Sequence, residues 1–317
     1  MRPAAAATLL ATAAVVGGCA HGSAQHPADT ARPSGDNGRT SADTGTRTSA
    51  GTARPSADTS TRAVVWAVGD AATPGPAPDR VAALVRRADP DRFLYLGDVY
   101  ETGTLRQFRR WYDPRYGRLA HITSPTIGNH EWHNRFRGYY RYWAAKKGRA
   151  WPPWSKLRIA GWEILDLNSQ APHGSGSAQV RWLERALQGP GDCRIAFWHR
   201  PRYSEGAYGE APDLDPLWNR LAGHARIVLS GHDHNLQRHR PRKGLTQYVA
   251  GAGGRPRYGL HGGRGTTMVW GRDDIDGALR IVLKPGRALL EFRGPRGAVL
   301  DRSRATCSPS VPPARSQ

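Results

Sequence analysis

Short apolar runs along the chain alternate with longer polar or helical stretches, and several of these runs break off at Asp, Asn or His. Ala63 to Val68 predicts a buried strand that ends in Gly69-Asp70. Apolar positions at helical spacing from Pro78 to Ala88 predict a helix, and Phe93 to Leu96 a second strand ending in Gly97-Asp98. From one Gly-Asp to the next is 28 residues, the length of a β-α-β unit. Its crossover is then right-handed and its two strands parallel.

The pattern repeats downstream. A Trp- and Arg-rich helical stretch, Leu105 to Trp111, is followed by Ser124 to Ile127, which runs into Gly128-Asn129-His130-Glu131. Ile195 to Trp198 runs into His199-Arg200-Pro201, and Arg226 to Leu229 into Ser230-Gly231-His232-Asp233-His234-Asn235. Trp162 to Leu167 predicts an edge strand that starts a second sheet, and Ser177 to Leu187 a helix with Val180, Leu183 and Leu187 on one face. Gln247 to Ala250 is a further strand, followed by the glycine loop 251–254, which lacks the Lys and Ser/Thr of a nucleotide-binding P-loop. Thr266 to Trp270, Leu279 to Leu283 and Leu289 to Phe292 close the pattern as antiparallel strands. The expected architecture is α/β: two mixed β-sheets packed face to face with helices outside, spanning 63–307, with 308–317 a disordered tail.

The first 62 residues read differently. Residues 3–18 are small and apolar behind Arg2 and run into Cys19, the length of a secretory signal; the small residues before Cys19 resemble a bacterial lipobox, in which Cys19 would carry the lipid, and an ordinary signal peptide with an incidental cysteine is the other reading. Residues 20–62 hold almost no large apolar side chain, so they cannot offset their ordering entropy and are expected to be a flexible tether. The expected location is extracytoplasmic, on the membrane through that anchor or secreted. Cys193 and Cys307 remain, a pair that an oxidising compartment allows to join.

A formal charge of +20 favours anionic partners, although only five of the 46 basic residues are Lys, as a GC-rich coding bias also produces. Arg135 to Trp154 interleaves basic and aromatic residues. It reads as an amphipathic helix packed on the core, with base stacking and a nucleic-acid partner as the other reading. Nothing in the sequence speaks to oligomeric state.

The candidate chemistry lies at the strand ends, where open α/β sheets bind their ligands. Asp70, Asp98, Asn129, His199, His232 and His234 would meet there, and in an extended segment His232 and His234 point to the same side. Two carboxylates, one amide and three imidazoles are too many for one tetrahedral zinc, and suit two metal ions with one carboxylate shared.

In this order, Gly-Asp (70), Gly-Asp (98), Gly-Asn-His-Glu (128–131), His199 and Gly-His-Asp-His (231–234) resemble the calcineurin-like metallophosphoesterases over Val64 to Gly254. The stretches around Asp98 and His199 are most similar to the purple acid phosphatase branch. The resemblance implies two divalent or mixed-valence ions (Fe, Zn or Mn): Asp70 and His234 on the first, Asn129, His199 and His232 on the second, and Asp98 bridging. It implies that a hydroxide shared by the metals attacks a phosphate ester, while His130 binds no metal and stabilises charge on the phosphoryl or leaving-group oxygen. Ala72 stands where cyclic-nucleotide-type members carry a His ligand. Tyr100 lies two residues after Asp98 rather than three, so it is either a ligand of the first metal or a packing residue. Arg200 is either a partner for the substrate phosphate or a solvated arginine. Hydrolysis of phosphomonoesters is the expected activity, with a phosphodiesterase or nuclease, and an inactive phosphate-polymer-binding surface protein, as alternatives.

Overall fold

The computed structural model describes residues 61–262 and 267–308. The signal segment with Cys19, nearly all of the tether and nearly all of the tail lie outside the described residues. Among the described residues no helix is long and apolar enough to cross a membrane.

Two β-sheets lie face to face. The first runs β13 (Val299–Thr306), β12 (Arg287–Arg293), β11 (Ala278–Lys284), β1 (Ala63–Val68), β2 (Arg92–Tyr95) and β3 (Thr123–Pro125). The second runs β10 (Met268–Arg272), β8 (Leu236–His239), β9 (Thr246–Ala250), β7 (Ile227–Ser230), β6 (Arg194–Phe197), β5 (Trp162–Asp166) and β4 (Ser155–Ile159). β1, β2 and β3 are parallel, as are β5, β6, β7 and β9. The two-residue period of a strand sorts their side chains. Val65 and Ala67 face the core between the sheets with Leu94, Ile195, Phe197, Ile227 and Leu229, while Trp66 and Val68 face outward.

The outer face of the first sheet is covered by α1 (Ala77–Arg87), by the turns α2 (Leu105–Gln107) and α3 (Asp113–Tyr116), and by α5 (Tyr139–Lys147). Between α2 and α3 the chain widens into a π-helical turn, Phe108–Tyr112, that aims Phe108 and Tyr112 at the sheet. α6 (Ala178–Ala186), capped by the Ser177 hydroxyl, and α7 (Asp215–Leu221) cover the second sheet. The one-turn α4 (Asn129–Trp132) follows β3 directly.

Three expectations change. Trp162–Asp166 is not an edge strand: β4 pairs outside it through the tight turn at Ala160-Gly161, and every residue of β5 is buried. The helix expected across 135–154 forms only over α5, and Gly148 ends it in a left-handed conformation. β8 and β13 were not anticipated, because their polar residues conceal the alternation. The cysteines do join: a disulfide links Cys193, just before β6, to Cys307, just after β13.

Candidate metal centre

Each candidate side chain sits where a parallel strand runs out. Asp70 follows β1, Asp98 follows β2, Asn129 opens α4 after β3, His199 follows β6, and His232 and His234 follow β7. Asp70, Asp98 and His232 hold positive φ of 58°, 66° and 70°. Non-glycine residues rarely adopt that region, and such strain collects at functional sites.

The donors form two groups that share one oxygen, Asp98 Oδ2. In the first, the Tyr100 hydroxyl lies 2.7 Å from Asp70 Oδ1, 2.8 Å from His234 Nε2 and 3.1 Å from Asp98 Oδ2, and His234 Nε2 lies 3.4 Å from Asp70 Oδ1. In the second, His199 Nε2 lies 2.9 Å from Asn129 Oδ1, 3.2 Å from His232 Nδ1 and 3.4 Å from Asp98 Oδ2. Donors about 2.1 Å from one ion stand roughly 3.0–3.4 Å apart, so most of these spacings match the edges of a coordination polyhedron.

The remaining nitrogens are fixed. His199 Nδ1 lies 2.8 Å from the Leu96 carbonyl oxygen and His234 Nδ1 2.7 Å from that of Pro256. A carbonyl only accepts, so each Nδ1 carries hydrogen and each Nε2 is turned to the centre, as a metal ligand requires. The charges call for a cation. Although burial pushes the His199 imidazole down, Asp98 and Asp70 raise it to about 9. Burial and the neighbouring His199 lower His232 to about 3, so it stays a neutral imidazole. Burial would raise Asp98, but the imidazoles of His199, His130 and His232 hold it below the usual carboxylate range. The donor set therefore fits transition metals, which take imidazole and carboxylate ligands in place of protons.

His130 stands apart. Its Nδ1 donates to the Glu101 carbonyl, and Nε2 lies 3.8 Å from Asp98 Oδ2 on a side chain 27% exposed, at the mouth of the centre. Arg200 is paired within the protein: its guanidinium meets Asp213 and donates to the Ser169 carbonyl at 3.1 Å. With Tyr208, Asp213 and His232 it lines a cavity of about 270 Å³ beside the centre.

Sequence reasoning missed several supporting residues. Glu131 Oε2 accepts from the backbone nitrogens of Asp98 (3.1 Å) and Gly128 (3.2 Å), and burial, with Asp98 nearby, pushes its carboxyl well above the usual range. Its place three residues after Gly128 is a helix-start spacing that could have signalled this. Tyr208 stacks on His232 at 4.3 Å and Tyr258 on His234 at 4.1 Å. The Arg255 guanidinium lies 4.3 Å from the Tyr100 ring centroid, held by Thr73 and Glu101. No local pattern marked these last three, since long-range folding sets their contacts.

A family model described as calcineurin-like phosphoesterase matches residues 63–236. None of the curated proteins matches the chain in sequence. Among solved structures, a purple acid phosphatase from yellow lupin seeds superposes with a TM-score of 0.66 at 19% identity over 78% of this chain; the chain spans about half of that one, 54%. GAP50, the anchor in the inner membrane complex of Plasmodium, gives 0.65 at 14% identity over 79% of this chain and 90% of its own. A dimetal phosphatase from Danio rerio gives 0.53 at 13% identity over 77% and 98%. At these identities the likeness is one of fold.

Proposed function

The chain belongs to the calcineurin-like phosphoesterase family, metal-dependent hydrolases of phosphate esters, and from that premise we propose that it hydrolyses phosphomonoesters outside the cytoplasm. One observation carries the proposal: two groups of four donors that share Asp98 Oδ2. Asp70, Tyr100, His234 and Asp98 would hold one ion, and Asp98, Asn129, His199 and His232 a second. Bound there, such ions supply Lewis acidity to the phosphoryl oxygens and activate water. The protein's own part is to hold these ligands and to manage the leaving group. His130 Nδ1–H is committed to Glu101, so Nε2 carries a proton only in the imidazolium form, which protonates the departing alkoxide. Arg200, fixed by Asp213, shapes the wall of the cleft rather than gripping phosphate. The disulfide supports an oxidising location, in line with a lipid-bearing Cys19.

A second reading, a surface protein that binds phosphate-rich polymers without turnover, draws on the fold shared with the Plasmodium anchor. The test is hydrolysis of a chromogenic phosphomonoester beside its diester by the purified protein, with metal content measured on the same sample. Two ions per chain and a preference for the monoester support the proposal. Preference for the diester makes the protein a phosphodiesterase, and two ions without turnover favour the surface reading.

A further inference from the structure

A groove of about 510 Å³ is lined by Trp132, Arg135, Phe136, Tyr140, Trp151 and Trp154. It shares two segments with the metal centre. α4 carries Asn129 at its start and Trp132 at its end, three residues apart and so on one face, about 5 Å along the helix. Asn168 and Ala171, which close the groove, flank Ser169, whose hydroxyl and carbonyl hold Arg200 beside His199.

The aromatic residues of this region divide by role. Tyr139, Tyr142 and Trp143 are buried in the layer against the first sheet. Phe136 is 69% exposed, an apolar surface the fold does not use. The Arg135 guanidinium lies 4.2 Å from the Trp132 ring centroid and 4.6 Å from that of Phe136, whose own ring is 5.9 Å from Tyr140 at 31°. Aromatic faces and a guanidinium plane together form a surface that attracts flat π-systems. The volume falls within the range that holds a drug-sized ligand, about 300–1,000 Å³, and exceeds what one ring needs.

We propose that this groove binds the planar group of the substrate's alcohol, so that the preferred phosphate esters carry a nucleobase-sized heteroaromatic group. The inference rests on the phosphoesterase reading, because the ester's phosphate occupies the metal centre while its alcohol must lie along one of the walls. This wall is aromatic and starts one helical turn away. Stacking recognises the π-face of any base, so the expected selectivity is for planarity rather than for one base.

The test is calorimetric binding to the full chain of two non-hydrolysable probes, the 5′-phosphonate analogue of adenosine monophosphate and methylphosphonate, which shares only the anionic head. The adenosine probe is expected to bind at least about tenfold tighter, and Phe136→Ala to remove about tenfold of that advantage, the loss of one base–aromatic stack. Phe136 is too exposed for its removal to threaten the fold. Equal affinities in the unmodified protein, or an advantage untouched by Phe136→Ala, overturn the proposal. So does a single-stranded oligonucleotide that binds more tightly than the mononucleotide probe and weakens equally with Phe136→Ala, since the groove would then hold a strand. Binding discrimination without hydrolysis of any ester leaves the groove assignment standing and defeats the phosphoesterase reading instead.

Discussion

Gly128→Ala tests whether the shared carboxylate organises the centre. Gly128 has ordinary extended backbone with φ of −95°, so an added Cβ brings no backbone strain and acts only through contact. That Cβ would lie 2.6 Å from the Asp98 nitrogen, 2.8 Å from its carboxyl carbon and nearer still to Oδ1. Carbon contacts are comfortable at about 3.5–4.0 Å, so Asp98 must retreat by about 1 Å. It cannot swing freely, because Oδ1 accepts from the His130 nitrogen at 3.1 Å while Glu131 grips both the Asp98 and Gly128 amides. A displacement of that size costs on the order of 100-fold in rate, and overpacking costs about 1–3 kcal/mol of stability. The expected result is kcat/KM down by about 100-fold or more with metal content reduced, while the melting temperature falls by only about 2–12 °C. Gly174→Ala, whose Cβ meets nothing within 4 Å, serves as the control. A Gly128→Ala protein with two ions and full activity would refute the role given to Asp98.

His130→Ala should retain both metals yet lose about 100- to 10,000-fold in kcat; metal loss equal to that of His199→Ala would make it a ligand. Replacing Cys193 and Cys307 by Ser removes a cross-link spanning 114 residues. It should cost about 2–4 kcal/mol, roughly 4–16 °C in melting temperature, and reductant should lower the unmodified protein to the same value. Burial alone would raise the Glu163 carboxyl, but Arg194 at 2.6 Å from Oε2, with Arg158 and Lys156, holds it below the usual range. A depressed folded value stabilises the protein above the ordinary Glu range, and that stability is lost as pH falls from about 4.5 through the folded value. Glu163→Gln should therefore lose about 3–5 kcal/mol at pH 7 in denaturant titrations and show a shallower loss below pH 5; equal acid sensitivity would contradict this pairing.

The donor set was legible because its signals are local. A short apolar run broken by Gly-Asp, Asn-His or His-Asp-His places polar residues at a strand end whatever the rest of the chain does, and the same runs supplied the parallel strands β1, β2, β3, β6 and β7. Tyr100 was not decidable by counting, since its distance along the chain from Asp98 does not say where its hydroxyl points; the structure brings it 2.8 Å from His234, 134 residues away. Arg200 was left between two readings because its partner, Asp213, lies 13 residues on, at the far end of the long connection between β6 and α7. The stretch Leu105 to Trp111 reads as one helix, yet the chain there forms the short α2 followed by the π-helical turn Phe108–Tyr112, with Phe108 and Tyr112 buried against the first sheet. β8 and β13 were concealed because Gln, Arg, Asp and Ser fill positions whose partners lie on other strands: Arg238 meets Asp301, and Arg302 meets Glu291 on β12.

The division of the donors between sheets ties function to fold. Asp70, Asp98 and Tyr100 come from the ends of the first sheet, and so does Asn129, whereas His199, His232 and His234 come from the second. Neither group of four is complete within one sheet, so each exists only once the face between the sheets has closed. That closure is apolar, made by Val65, Ala67 and Leu94 against Ile195, Phe197 and Leu229, and Ala67, Phe197 and Leu229 each lie within three residues of a donor. The same short run that drives a strand into the core therefore carries its donor to the centre. Ions that bind this arrangement and not the unfolded chain must stabilise the packing of the two sheets. The polar residue that ends each run is what the sequence offers as a candidate ligand, and the folded chain brings these candidates within 3.4 Å of a neighbouring donor.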